Sequence, residues 1–327
     1  MCLILFLFDF GAWYNVSMDK SREKAVWQIM KFFGDKKVYL SEDSARKELL
    51  RRAKRNGLRY HMPLRFRGAF QRGVFNNQPY GSFDFYHKTG GDTAVLYLHG
   101  GAFSSRPTTL HWQFVQDVYD RTGASVYMPF YPLAPKHSYK ETYLALLSFY
   151  KYVIRKHKTV YVMGDSAGAT LVLGLANLLE RENVLKPAGL VAMSPVVDMS
   201  FSNPEMKKYQ QVDTMLSREG AKYMCQNWAR GASYKNPLVS PKYSAFSNFP
   251  DIYLFYGDYE IFCPDLRDFV NIVNDAGGKI FAVEQKKCFH VYPLMPIPKA
   301  YDTREMIANI ILNRELTCKR RSTSLSY

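Results

Sequence analysis

VYVMGDSAGATLVLG, residues 160–174, passes from alternating β-formers through a Gly-Asp-Ser-Ala-Gly pentapeptide into a run of small and apolar residues with helical character. Strand, G-x-S-x-G turn and helix in that order form a nucleophile elbow. A side chain on so sharp a turn is lifted clear of both elements, and Gly164 and Gly168 supply the missing bulk that the tight approach requires. Ser166 is therefore expected at the C-terminal edge of a sheet, where open α/β sheets bind ligands.

Outward from the elbow, short apolar strands alternate with helical stretches, the pattern of a parallel sheet wrapped by helices. Strands are expected at 94–98, 125–128, 159–163, 189–193, 252–256 and 280–283. Helices are expected at 139–155, 167–182, 265–276 and 301–313. Between residues 200 and 250 the alternation lapses into a helical stretch at 217–229 flanked by proline-bearing loops, which reads as a cap inserted into the same domain. On the N-terminal side, residues 21–33 carry apolar positions at helical spacing. A second helix begins at the N-cap Ser41, with Glu42 and Asp43 at its positive end, and stops at Asn56-Gly57. Residues 65–87 are strand-like, with Asn76-Asn77 and Pro79-Tyr80-Gly81 as turn chemistry.

Composition narrows the class. With 47% hydrophobic and 22% charged residues the 327-residue chain can bury a substantial core, as two average domains or one large α/β domain. The net charge of +15 is uneven: residues 20–75 hold 16 Lys or Arg against 5 Asp or Glu, a net of +11 by subtraction. Such a strip attracts anionic ligands and membrane surfaces. No nucleic-acid motif accompanies it, so it is read mainly as a solvated helical face and no nucleic-acid partner is expected; transient membrane-surface contact stays open. Cys2, Cys225, Cys263, Cys288 and Cys318 are odd in number and widely spaced, without a disulfide framework or zinc pattern, which favours a reducing cytoplasm. The apolar run Leu3–Phe8 ends at Asp9, short of the roughly 20 residues of a membrane span, and lacks a clear cleavage site. A buried N-terminal piece, a weak signal segment and a true start at Met18 are the alternatives there.

A serine at a neutral-pH elbow needs a base and an anion cradle. YLHGGAF, residues 97–103, follows an earlier strand, and its glycines let backbone N–H groups turn toward one point. Gly100, Gly101 and the helix N-terminal Ala167 are the expected oxyanion donors, with His99 shaping the loop. His290, in KKCFHVYPL after the last predicted strand, returns to the same sheet edge and is the expected base. His61, His87, His111, His137 and His157 read as surface or helix-end residues. A carboxylate to orient the imidazole comes from YGDYEIFCPD, which offers Asp258, Glu260 and Asp265.

HGGAF, GDSAG, the acidic loop and the late histidine, in that order, resemble the hormonesensitive-lipase branch of the α/β-hydrolase esterases over residues 65–313, with YPLAP (131–135) and SPVVD (194–198) at matching places. The resemblance implies an α/β-hydrolase fold of eight largely parallel strands, a helical cap partly built from the N-terminal segment, and carboxylester hydrolysis without cofactor or metal. Pattern and resemblance together divide the chain into three segments: N-terminal residues and cap helices at 1–64, a catalytic domain at 65–316 with the cap insertion at about 200–250, and a basic tail at 317–327 that reads as disordered. Aligning the acidic loop on CPD puts Glu260, where many relatives carry aspartate, at the triad acid position; Asp258 is the alternative. A small ester of short or medium acyl chain is the expected substrate, with Met215, Tyr223, Met224 and Trp228 as pocket-lining candidates. An amidase or peptidase using the same triad and a non-catalytic ligand-binding protein are the competing readings.

Overall fold

The computed structural model describes residues 36–77, 81–314 and 323–326, the last stretch as backbone alone. The expected helix at 21–33, the apolar segment at 1–17, Pro79-Tyr80, Cys2 and Cys318 lie outside the described residues. The helices are α1 (Lys36–Tyr39), α2 (Glu42–Asn56), α3 (Thr109–Thr122), α4 (Tyr139–Ile154), α5 (Ala167–Arg181), α6 (Met206–Tyr209), α7 (Arg218–Trp228), α8 (Cys263–Asp275) and α9 (Pro298–Ile311). The strands are β1 (Gln71–Asn76), β2 (Ser82–Lys88), β3 (Thr93–Leu98), β4 (Ser125–Pro129), β5 (Thr159–Asp165), β6 (Gly189–Met193), β7 (Ile252–Gly257), β8 (Ile280–Gln285) and β9 (Thr323–Ser326).

These strands form one sheet in the order β1-β2-β4-β3-β5-β6-β7-β8-β9. The hairpin β1–β2 joins antiparallel at one end and β9 at the other, and every pair from β4 to β8 is parallel. Parallel neighbours need crossovers, and the helices that make them cover both faces, so β4 and β6 are buried along their whole length. Side chains alternate between two cores. Leu96, Leu98, Val160 and Val162 pack with α4 and α5 on one face; Val95, Tyr97, Tyr161 and Met163 pack with α3 and α9 on the other. The α/β-hydrolase architecture expected from the sequence is present.

Helix α2 starts where the capping signal places it: the Ser41 side chain accepts the Ser44 N–H, and the helix ends at Gly57. Two elements differ from expectation. Helix α3 follows a loop rich in Gly, Ser, Pro and Thr that masks its start; Thr108 caps it with His111 in the place that Glu or Gln usually takes, and Gly123 ends it in the left-handed region. The spacing of Leu110, Phe114, Val115 and Val118 is the signal that would have found it. The tail, expected to be disordered, contributes β9, which pairs antiparallel with β8 and covers an otherwise open edge. Among the described residues no helix is long and apolar enough to cross a membrane.

The 200–250 insertion carries α6, α7 and two 3-10 turns, and α7 packs on α1 and α2. Trp228, at the end of α7, joins this layer to the domain beneath. Its ring stacks on Phe103 with centroids 3.9 Å apart, and its Nε1 donates to Thr142 Oγ1 at 3.1 Å. Trp228 and Met224 are fully buried, so both are packing residues in this structure. Trp228→Ala is expected to destabilise the fold by about 3–5 kcal/mol, seen as a lowered urea midpoint; an unchanged midpoint would show that the cap adds nothing to global stability.

Candidate functional site

Ser166 stands between the end of β5 and the start of α5 with φ +50° and ψ −122°, a backbone conformation that a non-glycine residue holds only under constraint. Its N–H donates to the Met193 carbonyl at 2.7 Å and its carbonyl accepts from Thr170 N–H at 3.1 Å, so the turn is held from both sides. Strand β3 presses against it. A Cβ added at Gly168 would lie 1.9 Å from the Leu98 carbonyl oxygen, and one at Gly164 would lie 2.6 Å from the same atom. Any side chain at either position would push the elbow off β3.

The loop after β8 brings His290 to this serine. Its Nε2 lies 2.8 Å from Ser166 Oγ, and its Nδ1 lies 2.6 Å from Glu260 Oε2. Glu260 is 0% exposed, and its other oxygen accepts from Gly257 N–H at 2.9 Å and Ser194 O–H at 3.0 Å. A buried carboxylate needs such donors. With the proton of Nδ1 facing the carboxylate, Nε2 presents its lone pair to the serine hydroxyl. Asp258 turns elsewhere, accepting the Lys287 N–H at 2.5 Å, and Asp265 accepts from Asn203 Nδ2 at 2.8 Å. Of the three carboxylates in the acidic loop, Glu260 is the one that touches His290.

Two supports were not visible in the sequence. Ser194, in the SPVVD stretch after β6, gives its proton to Glu260 and accepts the Val291 N–H at 3.0 Å, so one hydroxyl ties Glu260 to the residue after His290. Asp213 accepts N–H groups from Met215, Leu216 and Ile261 at 2.8, 2.8 and 2.9 Å, anchoring the insertion to the residue after Glu260. Burial pushes its carboxyl upward, against the pull of nearby His290 and these N–H groups. Its signal is an Asp followed two and three residues on by the amides of a turn.

The HGGAF loop corrects one expectation. The Gly100 N–H donates to Asp165 Oδ1 at 2.9 Å, so it is already spent and is not an oxyanion donor. Asp165 also accepts from Tyr97 O–H at 2.5 Å and lies 3.3 Å from His111 Nε2. Burial alone would raise its pKa, but His111 and the hydrogen bonds from His111, Tyr97 and Gly100 outweigh it and hold the carboxyl below the ordinary value. His111 is thus a buried partner of Asp165 rather than a surface helix-end residue. Beyond the pinned Gly100, Gly101, Ala102 and Phe103 have φ of +118°, +51° and +56°. Among the described residues the N–H groups of Gly101 and Ala102 have no acceptor. The N–H of Ala167, first in α5, has no intrahelical one. Ala102 is the open amide that sequence reasoning missed, because it occupies the place after the glycine pair.

The cap also holds this loop. Arg52, expected on a solvated face, is 5% exposed; its Nη1 donates to the Gly101 carbonyl at 3.3 Å and Ser104 Oγ at 3.1 Å, while its Nε pairs with Glu48 at 2.8 Å. Asn56 Nδ2 donates to the Ser104 carbonyl at 2.7 Å. From within the loop, His99 Nδ1 donates to the Gly100 carbonyl at 2.9 Å, and the His99 carbonyl accepts from Tyr131 O–H at 2.5 Å. Burial, with His111 nearby, pulls the His99 pKa down to about 3.

Fold and site together define a class: an α/β sheet with a serine elbow, an imidazole and a buried carboxylate at its C-terminal edge. The chain belongs to the alpha/beta hydrolase fold family, which matches residues 95–294. An esterase of Acinetobacter venetianus is 30% identical over 57% of this chain and 63% of its own length. A triacylglycerol lipase of Mycobacterium tuberculosis is 29% identical over 53% of this chain and 36% of its own. The chain therefore spans less than two thirds of either relative. A solved hormone-sensitive lipase from a metagenome library superposes with a TM-score of 0.74 at 19% identity, over 92% of this chain and all of that one, which is a likeness of fold.

Two measurements test the supports. Ser194→Ala should lower turnover about tenfold, from a lost hydrogen bond of about 1.5 kcal/mol to a charged group, with KM nearly unchanged; full activity would make the hydroxyl irrelevant to the acid. His99 is neutral in the folded chain, whereas an unfolded chain protonates it below its ordinary 6.5. Stability should therefore fall as pH drops from 6.5 toward 3, by about 2 kcal/mol between pH 6.5 and 5. His99→Gln should flatten that slope in urea titrations; an equally steep slope would assign it to other groups.

Proposed function

We propose that the protein is a serine carboxylesterase acting on small esters. The observation that carries this reading is the unbroken contact from Glu260 through His290 to Ser166, at 2.6 and 2.8 Å. Ser166 Oγ attacks the ester carbonyl carbon while His290 Nε2 takes its proton, and Glu260 stabilises the imidazolium that forms. The negative charge that develops on the carbonyl oxygen is met by the N–H groups of Gly101, Ala102 and Ala167, each such donor being worth about 10²–10³ in turnover. His290 returns the proton to the leaving alcohol, the acyl group stays on Ser166, and a water activated by the same imidazole releases the acid. The chemistry uses only side chains and backbone.

A short or medium acyl chain fits the filled space around the HGGAF loop, where Phe103, Trp228 and Met224 are fully buried and pack together. The esterase and lipase names of the relatives support ester rather than amide cleavage. Met215 and Tyr223, half-buried in the insertion, are the remaining wall candidates.

The full chain and its Ser166→Ala variant, assayed on nitrophenyl esters from acetyl to decanoyl, should differ by at least about 10³ in kcat, as loss of a nucleophile requires. Rates should fall at the longer chains. Equal rates for the two proteins would remove the esterase reading, and an anilide cleaved faster than its matched ester would replace it with an amidase. Stoichiometric labelling of Ser166 by a fluorophosphonate is expected; no labelling would favour a ligand-binding protein.

A further inference from the structure

A cavity of about 580 Å³, whose lining includes none of Ser166, His290 and Glu260, is formed by residues of four separate stretches. The chain leaving α2 contributes Leu58, Arg59, Tyr60, His61 and Met62, and the turn before β1 contributes Arg67. The hairpin adds Arg72, Asp84 and Tyr86, and Arg106 comes from the loop that also carries HGGAF. Four arginines face one aspartate, a formal +3 by subtraction. Arg72 Nη2 reaches both oxygens of Asp84, at 2.8 and 2.9 Å, which cancels that pair. Arg59, Arg67 and Arg106 have no ion-pair partner among the described residues. Arg67 donates to the Met62 carbonyl at 3.3 Å. Arg106 donates to the carbonyls of Leu58, at 2.7 Å, and Asn56.

The charges converge on a common space. Burial, then Asp84, push the Tyr86 phenol above its ordinary pKa, while Arg72, Arg106 and Arg59 each pull it back. Arg106 is partly buried while Arg59 and Arg67 are exposed, so their guanidinium groups are open to a ligand, and the planar guanidinium fork matches an oxyanion bidentately. Three unmatched charges suit a phosphate monoester, near −2 at neutral pH, better than a single carboxylate. The volume exceeds what phosphate alone fills, and Leu58, Met62 and the two tyrosines give it apolar wall.

We propose that this cavity binds a phosphate monoester carried on a small organic body, held by Arg59, Arg67 and Arg106. Its lining shares no residue with the Ser166–His290–Glu260 contact, so its test reads binding rather than turnover. Calorimetry on the full chain would use glycerol 3-phosphate, with inorganic phosphate beside it. Sedimentation with phosphatidylcholine vesicles, with and without phosphatidate, asks whether the same headgroup chemistry comes from a lipid.

Glycerol 3-phosphate should bind more tightly than inorganic phosphate. Arg59→Ala and Arg67→Ala, both exposed and outside the cap clamp, should each weaken it about tenfold. If only phosphatidate vesicles bind, and the same two variants abolish that binding, the ligand is the lipid headgroup. Inorganic phosphate binding equally well would overturn the organic half of the proposal. Absence of binding in every arm, or binding unmoved by both variants, would overturn the whole of it.

Discussion

Burying a carboxylate is costly unless donors surround it, and the Glu260 carboxylate meets that condition with three: His290 Nδ1, Gly257 N–H and Ser194 O–H. Each donor comes from a different stretch of chain, so the charge can be satisfied only when the loops after β6, β7 and β8 are all in place. The requirement works in reverse as well. Any movement of the His290 loop that broke the 2.6 Å contact would leave a fully buried charge short of a partner, so the imidazole is held at the serine by the cost of being elsewhere. Ser194 tightens the arrangement, because its hydroxyl is tied to Glu260 and to the backbone beside His290 at once.

Asp165 does for the HGGAF loop what Glu260 does for His290. It too is buried, and its three donors, Gly100 N–H, Tyr97 O–H and His111 Nε2, come from β3, the loop after it and α3. The residue before Ser166 thus holds one loop amide, and the next two are left without an acceptor among the described residues. Ser166 therefore sits between two buried carboxylates with separate tasks, one setting the imidazole and one setting the HGGAF backbone. Arg52 adds a third constraint from the cap, since its guanidinium holds the Gly101 carbonyl on the far side of the peptide whose N–H is orphaned.

The parts of this arrangement legible in the sequence are those carried by local chemistry. GDSAG specifies an elbow because only glycine tolerates the approach of Leu98, and parallel strands declare themselves through unbroken apolar runs buried on both faces. His290 was found by its place after the last crossover strand. What was not legible depends on pairing across the sheet. Nothing in HGGAF says that the first of its amides belongs to an aspartate 65 residues away. Nothing in the charge count separates Arg52, turned inward on α2, from its solvated neighbours. Helix α3 was hidden because a histidine stands where the usual capping glutamate would be sought.

The choice of glutamate over the nearer aspartate follows from backbone pairing. Beyond β7 the chain stays attached to the strand beside it: Asp258 N–H donates to the Gln285 carbonyl at 3.1 Å and Tyr259 N–H to the Cys288 carbonyl at 2.8 Å. While that pairing lasts, the Asp258 carboxylate is held against the Lys287 amide, on the outgoing side of the β8 loop. The chain turns inward only at Glu260, whose carbonyl accepts the Cys263 N–H at 3.0 Å as α8 begins. At that point the side chain reaches both back to Gly257 and across to His290. An aspartate there would be shorter by one methylene, about 1.5 Å of reach, and would need the backbone to come closer to keep all of these contacts. The longer acid is what lets a single carboxylate close its own turn and orient the imidazole together.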